Sequence, residues 1–417
     1  MRVVFHNPHT NLVFGRTVLD FLIRNYSYKK YQYLLTYLIK NKVEFLIYND
    51  KADSSLPSYL SVFIPSTIEL YVWCIINNIN PFKTNITSDI SKIDTQDIFF
   101  SFSLKNLDTE YSGLDNISKA RFLKVFHLTH FVQNTSRIAK NARKLNIDYF
   151  VAENNLSKNS NYFKKYFPFY KNIVYTLPFV YQKRFVNKRD FKSRKNKCIA
   201  TGTLVNIKET GNPNDFKDFY NFYKIDFLQP ERQKILKNKK KLSKYIDCYI
   251  SNLYEKKLKR NNVGMVNRLW NKIHNAFIST KREYLKFNIV DKYNEYKMFI
   301  NGEEINDLPG IGMVEGMACG AVYIGKRDSM YKDIGMIDKI HYIGYDGTIE
   351  DLVKKIKYYQ KHEYKLELIA KNGTKFAKEM FNPDVAAKIF YSDLLKLSKM
   401  KKKHKKDNIV WKSSFTI

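Results

Sequence analysis

Short apolar runs typical of β-strands alternate with helical patterns along most of the chain. In the second half the strand patterns fall at residues 198–204, 296–300, 321–324 and 341–345, and in the first half at residues 2–5, 43–48, 97–102, 124–127, 148–152 and 173–177. Apolar residues at helical spacing follow them, for instance at residues 135–145, 313–319, 349–360 and 383–399. Because parallel strands need crossover helices, this order predicts an α/β fold with doubly wound parallel sheets.

The length of 417 residues suits two domains of about 200 residues each. Residues 182–197 are polar and basic with little hydrophobic period, which is typical of a linker. We therefore predict a Rossmann-like N-terminal domain at residues 1–181 and a second Rossmann-like domain at residues 198–395. A helical pattern with alternating charge predicts a helical insert at about residues 214–285, and residues 396–417 form a basic tail.

Cysteine usage and hydropathy indicate the compartment. The four cysteines are far apart and form no Cys-x-x-Cys pair, which argues against a zinc ribbon and against a disulfide framework. The first ten residues lack the apolar core of a signal peptide, and no run of about 18 apolar residues occurs. We expect a cytoplasmic protein without a membrane span.

The net charge of +32 would attract anions such as nucleic acid, anionic lipid or phosphorylated small molecules. Lys, Asn, Ile and Tyr are all abundant, so compositional drift accounts for part of the charge. For the remainder, an anionic membrane surface is favoured over nucleic acid. Seven lysines lie between residues 396 and 406, ahead of Trp411 and Phe415. This tail is either a solvated chain end or a basic and aromatic foot on a membrane.

Residues 307–325 are the most informative segment for chemistry. They read as a loop with Gly310 and Gly312, a short helix, a turn at Gly320 and a β-branched strand. Glycines there permit close approach of a ligand and positive φ angles. Backbone N–H groups at the start of the helix bind anions such as a diphosphate.

Two acids bracket this glycine loop. Asp307 precedes it, and Glu315 lies eight residues later on the short helix. Taken alone, each acid is most simply a solvated charge or a helix cap. Beside a loop that holds a phosphorylated ligand, a carboxylate can accept hydrogen bonds from vicinal sugar hydroxyls, as in ribose recognition.

The pattern Asp-x7-Glu followed by Gly-Met-Ala-Cys-Gly-Ala-Val resembles the Glu-x7-Glu donor motif of GT-B glycosyltransferases, most of all the retaining family four. The resemblance is strong over about residues 296–395 and weak in the N-terminal half. It implies two Rossmann-like domains that face a central cleft. It also implies transfer of a hexosyl group, with retention, from a nucleotide-sugar to a glycan or lipid-linked acceptor of bacterial surface polysaccharide or lipopolysaccharide biosynthesis.

The resemblance also implies roles for individual residues. Glu315 would bond the ribose hydroxyls of the donor nucleotide, and Asp307 would hold a hydroxyl of the donor sugar. The N–H groups of Gly310, Ile311 and Gly312 would lie against the sugar and the diphosphate. Asp307 stands where the family has Glu and is one methylene shorter, so either the sugar contact shifts or the sugar differs.

A second family element, Gly-Arg-Leu-x3-Lys, neutralises the leaving diphosphate in these enzymes. Gly202 and Lys208 keep its first and last residues, whereas Thr203 stands where the family has Arg. Lys208 is therefore the predicted phosphate cation, unless it is one more surface lysine, and Lys281 or Arg282 are candidates for the missing partner. Two cations and a helix N-terminus can stabilise a departing diphosphate, so no metal or other cofactor is expected.

The N-terminal half offers weaker candidates. Gly15, in the loop after the first strand, corresponds to the family's flexible loop near the reaction centre. His127 ends a strand and resembles the family's histidine near the transferred sugar, where it could bond the sugar or act as a base. The alternative is a structural histidine. His6 and His9 follow the first strand at the same edge, and His130 is expected to be structural.

Two other functions remain open from the sequence. One is a nucleic-acid-binding protein that uses its basic charge and its aromatic residues, although no nucleic-acid-binding motif is present. The other is a catalytically inactive GT-B scaffold, which the departures at Asp307 and Thr203 leave open.

Overall fold

The computed structural model describes residues 1–9, 33–52, 55–57, 63–76, 79–102, 104–108, 113–128, 131–210, 212–252, 287–303 and 308–403. The chain divides into two compact units. The first unit comprises Met1–Leu177 and the described residues from Pro383 onwards. The second unit comprises Pro178–Asn382. Within the described residues, no helix has the length and apolar content that a membrane crossing requires.

The first unit is built on a seven-stranded sheet whose strands all run parallel. Its order is β5-β2-β1-β6-β7-β8-β9, from the strands β1 (Val3–His6), β2 (Phe45–Tyr48), β5 (Ile86–Thr87), β6 (Ile98–Ser101), β7 (Leu123–His127), β8 (Tyr149–Ala152) and β9 (Tyr175–Thr176). A small antiparallel pair joins β3 (Ser55–Pro57) and β4 (Phe63–Pro65). The central strands β1, β6 and β7 are buried along their whole length. Their complete burial and mostly apolar sequences match a sheet covered on both faces.

Helices follow these strands as the sequence predicts. The first unit contains α1 (Tyr33–Lys40), α2 (Ser66–Ile76), α3 (Gly113–Lys119), α4 (Thr135–Lys144), α5 (Leu156–Asn159) and α6 (Asn161–Tyr166), with 3₁₀ turns at Ile90–Lys92 and Leu104–Leu107. Asn155 and Ser160 cap α5 and α6 with side-chain oxygens that accept from Lys158 N and Phe163 N. Such caps satisfy N–H groups that have no partner inside the helix.

The second unit has a five-stranded parallel sheet in the order β11-β10-β12-β13-β14. Its strands are β10 (Lys195–Leu204), β11 (Ile246–Asn252), β12 (Tyr296–Ile300), β13 (Val322–Lys326) and β14 (Ile343–Tyr345). Its helices are α7 (Lys217–Tyr223), α8 (Pro230–Lys237), α9 (Lys239–Leu242), α10 (Ile289–Glu295), α11 (Ile311–Ala318), α12 (Ser329–Asp333), α13 (Ile349–Lys361) and α14 (Glu363–Met380), with 3₁₀ turns at Phe191–Ser193, Ile207–Glu209 and Pro213–Phe216.

The predicted linker at residues 182–197 differs from the structure, which places it inside the second unit. Arg194 is buried, and its guanidinium donates to the carbonyl oxygens of Tyr293 at 3.1 Å and Cys319 at 2.7 Å. Strand β10 already begins at Lys195. Arg194 therefore anchors this stretch to the second unit. The sequence alone does not distinguish it from the other basic residues around it.

The predicted helical insert at about residues 214–285 is only partly helical. Residues 214–252 form helices α7, α8 and α9, but they end in β11, which pairs with β10 at the edge of the sheet. Alternate β11 residues from Ile246 to Ile250 are buried, as expected for an edge strand with one covered face. Residues 253–286 lie outside the described part of the chain.

The predicted second domain, residues 198–395, also differs at its end. Helix α15 (Pro383–Lys403) belongs to the first unit. Its buried residues Phe390, Leu394 and Leu397 form an apolar face, and Phe390 packs on Phe100 with ring centroids 5.5 Å apart. An amphipathic pattern shows that a helix is half-buried but does not show which core covers it.

Candidate functional site

The carboxyl edge of the second sheet collects the segments that the sequence marks for chemistry. β10 ends at Leu204, and β12 ends at Ile300, after which Asn301, Gly302 and Glu303 continue the chain. α11 then begins at Ile311, with Gly310 as its N-cap. In an open parallel sheet, ligands bind outside the carboxyl ends of the strands, so this edge is the candidate site.

Gly310 and Gly312 were expected to provide positive φ angles and space for a ligand. Gly310 has φ −80°, and Gly312 is not in the positive-φ region either. A Cβ at Gly310 would lie 2.6 Å from Asn301 Oδ1, and one at Gly312 would lie 2.5 Å from Asn301 Nδ2. Both glycines therefore make room for the Asn301 side chain. The expected positive φ occurs instead at Gly202, with +127°, and at Gly302, with +61°.

The Asn301 side chain lies between β10 and the start of α11. Its Nδ2 donates to Thr201 Oγ1 and to the Thr201 carbonyl oxygen, both at 3.3 Å, and the residue is 6% exposed. Its Oδ1 accepts from Arg232 Nη2 at 3.1 Å. With its amide group bonded on both sides, the Asn301 side chain is held against β10 and packs directly beside Gly310 and Gly312.

Arg232 on α8 is the central cation of this edge. Its Nε donates to the carbonyl oxygen of Asn301 at 2.5 Å, Nη1 donates to that of Thr203 at 2.7 Å, and Nη2 donates to that of Gly302 at 3.2 Å. Nη2 lies 3.5 Å from the Cβ position of Gly310, and Nε lies 2.9 Å from that of Gly202. The guanidinium therefore holds the ends of β10 and β12 together and places a fixed positive charge beside the start of α11.

Sequence reasoning missed Arg232, because its helix lies in a stretch read as a solvated insert. The signal that could have found it is Arg232 two residues after Pro230, in the first turn of a helix in a parallel α/β unit. The residues named for the missing cation, Lys281 and Arg282, lie outside the described residues.

Glu315 lies on α11 and is 9% exposed. Burial, and after it the nearby charge of Glu315, raises the pKa of the Cys319 thiol to about 12. Asp307 lies outside the described residues, so the predicted geometry of the two acids stays a prediction.

The structure brings Gly202 and Thr203 next to Arg232, but it gives Lys208 different neighbours. Lys208 is exposed, its Nζ lies 2.8 Å from Asp226 Oδ2, and this hydrogen bond raises the pKa of the lysine. Its ammonium also lies 5.7 Å from the ring centroid of Tyr220. To serve as a phosphate cation, Lys208 would have to exchange Asp226 for the ligand.

Two further buried acids, Glu303 and Glu231, lie at the same edge. Glu303 Oε1 accepts from Lys326 N at 2.7 Å and from the hydroxyl of Tyr331, while Oε2 has no hydrogen-bond partner among the described residues. Burial raises the pKa of Glu303. Glu231, beside Arg232 on α8, accepts from the hydroxyl of Tyr345 at 3.0 Å. These bonds join the ends of β13 and β14 to the edge that Arg232 organises.

In the first unit, the carboxyl edge of the sheet carries the predicted histidines. His127 ends β7 and is buried, and His6 ends β1, where its Nε2 lies 2.8 Å from Asp50 Oδ2. β6 lies between these two strands, so both histidines belong to one region of the edge. Asn7, directly after β1, has φ 40°, an uncommon conformation for a residue with a side chain. Gly15 and His130 lie outside the described residues.

His9 is held as a neutral imidazole. Its Nε2 lies 2.8 Å from Ser66 Oγ, and Ser66 Oγ donates to Asn49 Oδ1 at 3.1 Å, so His9 Nε2 is the donor to the serine. Burial lowers the pKa of His9 to about 3. A neutral histidine in this position binds its neighbours but does not carry a charge at physiological pH.

Comparisons with known proteins add the fold family. No protein-family model matches the sequence, and a sequence comparison with curated proteins finds no match. Among solved structures, the chain is similar to Anabaena HepE in complex with UDP-glucose, at 10% identity and a TM-score of 0.50, over 94% of this chain and 99% of that one. It is similar to sucrose-phosphate synthase from Thermosynechococcus elongatus at 10% identity and a TM-score of 0.50, over 96% and 100% of the two chains.

The chain has the GT-B fold. Both similarities span almost the whole chain, and each of the two units contains a parallel sheet with crossover helices. The fold expected from the Asp-x7-Glu pattern is therefore confirmed.

Proposed function

We propose that the protein is a glycosyltransferase that takes its sugar from a nucleotide-sugar. The observation that carries this proposal is the start of α11, where Asn301 and Arg232 bond each other and pack beside the glycine loop at the carboxyl edge of the second sheet. A fixed cation and a helix N-terminus at one edge favour a diphosphate. The GT-B fold and the UDP-glucose complex of Anabaena HepE support the same donor class.

The proposed donor contacts follow the sequence motif. The N–H groups of Gly310, Ile311 and Gly312 face the sugar and the diphosphate, and Glu315 bonds the ribose. Asp307 holds a hydroxyl of the transferred sugar. Arg232 adds a role that the motif did not contain, since its guanidinium bonds Asn301 and lies beside Gly310, where it places a positive charge near these N–H groups.

The proposed reaction is a hexosyl transfer with retention of configuration. Lys208 neutralises the leaving diphosphate after it releases Asp226. His127, at the carboxyl edge of the first sheet, bonds the transferred sugar or acts as a base. The mechanism needs no metal, because preorganised cations and N–H groups stabilise the developing negative charge.

The proposed acceptor is a glycan or a lipid-linked precursor of bacterial surface polysaccharide or lipopolysaccharide. The family resemblance of the donor motif supports this acceptor class. We place the enzyme in the cytoplasm, with peripheral attachment to the inner face of the plasma membrane, since the net charge of +32 favours an anionic surface.

A thermal-shift screen against a panel of nucleotide-sugars tests the donor proposal. We expect one member to raise the melting temperature, since a ligand at 100 times its Kd stabilises the native state by about 2.7 kcal/mol. The variant Glu315→Gln should lose this response and at least about 100-fold in turnover, because a neutral amide accepts the ribose hydroxyls less strongly. Glu350→Gln, which removes an exposed acid from α13, is the matched control.

The alternatives give different results in the same experiments. Donor stabilisation without turnover on any acceptor would identify an inactive scaffold. The absence of a donor response, together with nucleic-acid binding that weakens steeply with salt, would replace the transferase by a nucleic-acid-binding protein. A Glu315→Gln variant with unchanged donor affinity and turnover would refute the assigned role of Glu315.

A further inference from the structure

Three helices of the second unit, α8, α9 and α13, lie side by side on one face of the sheet. Ile235 of α8 and Leu242 of α9 share a core cluster with Leu352 and Ile356 of α13, together with β10 and β11 residues. Their opposite faces are exposed to solvent. These outer faces therefore form one continuous surface.

Exposed lysines dominate this surface. We refer to six of these exposed residues together as the lysine surface, namely Lys237, Lys240, Lys241, Lys244, Lys357 and Lys361. None of the six forms an ion pair within the described part of the chain. The neighbouring acids are engaged elsewhere, since Glu231 pairs with Lys234, Asp247 pairs with Lys197 and Glu363 pairs with Lys297.

Tyr245 shows how closely the lysines from different helices approach. The ammonium of Lys244 lies 6.0 Å from the centroid of its ring, and that of Lys357 lies 5.1 Å from the same centroid. The separation of the two ammonium groups is therefore comparable to the Debye length, roughly 10 Å at 0.1 M salt. Their positive potentials add together at this part of the surface. Tyr358, directly after Lys357, is 40% exposed, and Tyr364, three residues after Lys361, is 80% exposed.

The lysine surface lies away from the candidate site. α8 begins at the carboxyl edge, where Glu231 and Arg232 bond to Tyr345 and Gly302, and it runs from there to Lys237. α13 likewise begins just after β14 and ends at Lys361. The lysines at the far ends of these helices can contact a partner without covering the edge where α11 begins.

We propose that the lysine surface docks the second unit onto an anionic lipid bilayer. The surface contains lysines and no arginine, and a lysine ammonium is a compact point charge that suits a diffuse layer of headgroups. Planar, bidentate recognition of single phosphates is instead typical of arginine. Exposed tyrosines beside the charges fit the same partner, because their amphipathic rings are favoured at a membrane–water interface.

Vesicle co-sedimentation of the full chain tests this proposal. The chain should sediment with vesicles of phosphatidylcholine and phosphatidylglycerol in equal parts, and not with phosphatidylcholine alone. A variant with Lys241→Gln, Lys244→Gln, Lys357→Gln and Lys361→Gln should bind about 600-fold more weakly, since each of the four lysines contributes about fivefold near an anionic bilayer.

A variant with the same loss of charge in the first unit is the matched control, with Lys83→Gln, Lys92→Gln, Lys119→Gln and Lys140→Gln, all exposed residues. It should keep more affinity than the lysine-surface variant. An unchanged melting temperature in both variants, and an unchanged response to nucleotide-sugars, separates this test from that of the proposed function.

Three results would overturn the proposal. The two variants could weaken binding equally, which would make net charge the only cause. Removal of the chain after Lys403 could abolish vesicle binding while the lysine-surface variant binds normally, which would assign binding to the tail. Finally, the lysine-surface variant could lose binding to a DNA duplex while neither protein binds vesicles, which would make nucleic acid the partner.

Discussion

At the scale of single residues, the side chain of Asn301 explains why residues 310 and 312 are glycines. The sequence pattern indicates that small residues are needed there, and ligand approach is the natural first explanation. The structure adds an internal cause, since a Cβ at either glycine would meet the Asn301 amide within 2.6 Å. A glycine loop is thus shaped by its own support as well as by the ligand that it is proposed to hold.

Arg232 gives the sharpest prediction at this scale. Arg232→Lys keeps the charge but loses the planar fork that reaches the Asn301, Thr203 and Gly302 carbonyls together. We expect the free energy of unfolding to fall by about 1–3 kcal/mol, because buried carbonyls lose their donors. The thermal response to the nucleotide-sugar should weaken as well.

Urea denaturation and the thermal-shift screen measure these two effects. Arg137→Lys is the matched control, because Arg137 is 46% exposed in its pair with Asp108 and should change stability by less than about 0.5 kcal/mol. Equal effects of the two substitutions would contradict the role of Arg232.

His9 predicts a specific pH dependence of stability. Its pKa in the folded state is about 3, below the ordinary 6.5, because burial disfavours the charged imidazolium. The contribution of His9 is therefore fully present above pH 6.5 and is lost as the pH falls towards 3, since only the unfolded chain then binds the proton. Each pH unit in this window costs about 1.4 kcal/mol.

The measurement compares the free energy of unfolding against pH for the wild type and for His9→Gln. The variant should show a slope that is smaller by about one proton in this window. His362→Gln, which replaces an exposed histidine, should keep the wild-type slope. Identical slopes for wild type and His9→Gln would show that His9 is not buried as a neutral group.

At the scale of elements, the C-terminal helix α15 is part of the first unit and not of the second. Phe390 packs on Phe100 and Tyr175, with ring centroids 5.5 and 5.6 Å away, and the Tyr175 hydroxyl donates to Asp393. The helix therefore completes a core whose other elements precede it by more than 200 residues along the chain.

Phe390→Ala should accordingly destabilise the first unit by about 3–5 kcal/mol, the usual effect of removing a buried ring. Lys388→Ala, on the exposed side of the same helix, should change stability by less than about 0.5 kcal/mol. Hydrogen exchange followed by peptide should show faster opening of β6 and β9. Faster exchange confined to β10–β14 would contradict the assignment of α15 to the first unit.

At the scale of the whole molecule, the two units have separate sheets and separate roles in the proposal. The donor residues Arg232, Asn301 and Glu315 all belong to the second unit. A nucleotide-sugar found in the thermal-shift screen should therefore slow hydrogen exchange at the first turn of α11. Protection confined to the first unit would contradict the donor site, and a non-binding nucleotide-sugar from the same panel is the control.

The sequence by itself determined the α/β class, the position of most of the described strands, with β11 among the exceptions, and the motif that leads to the GT-B fold. These features depend on local periodicity and on residues close together along the chain, such as Asp307 and Glu315. Only the tertiary structure revealed Arg232 and Asn301 as partners, because 69 positions separate them. It likewise assigned α15 to the first core, since an apolar helix face does not specify which of two sheets it will cover.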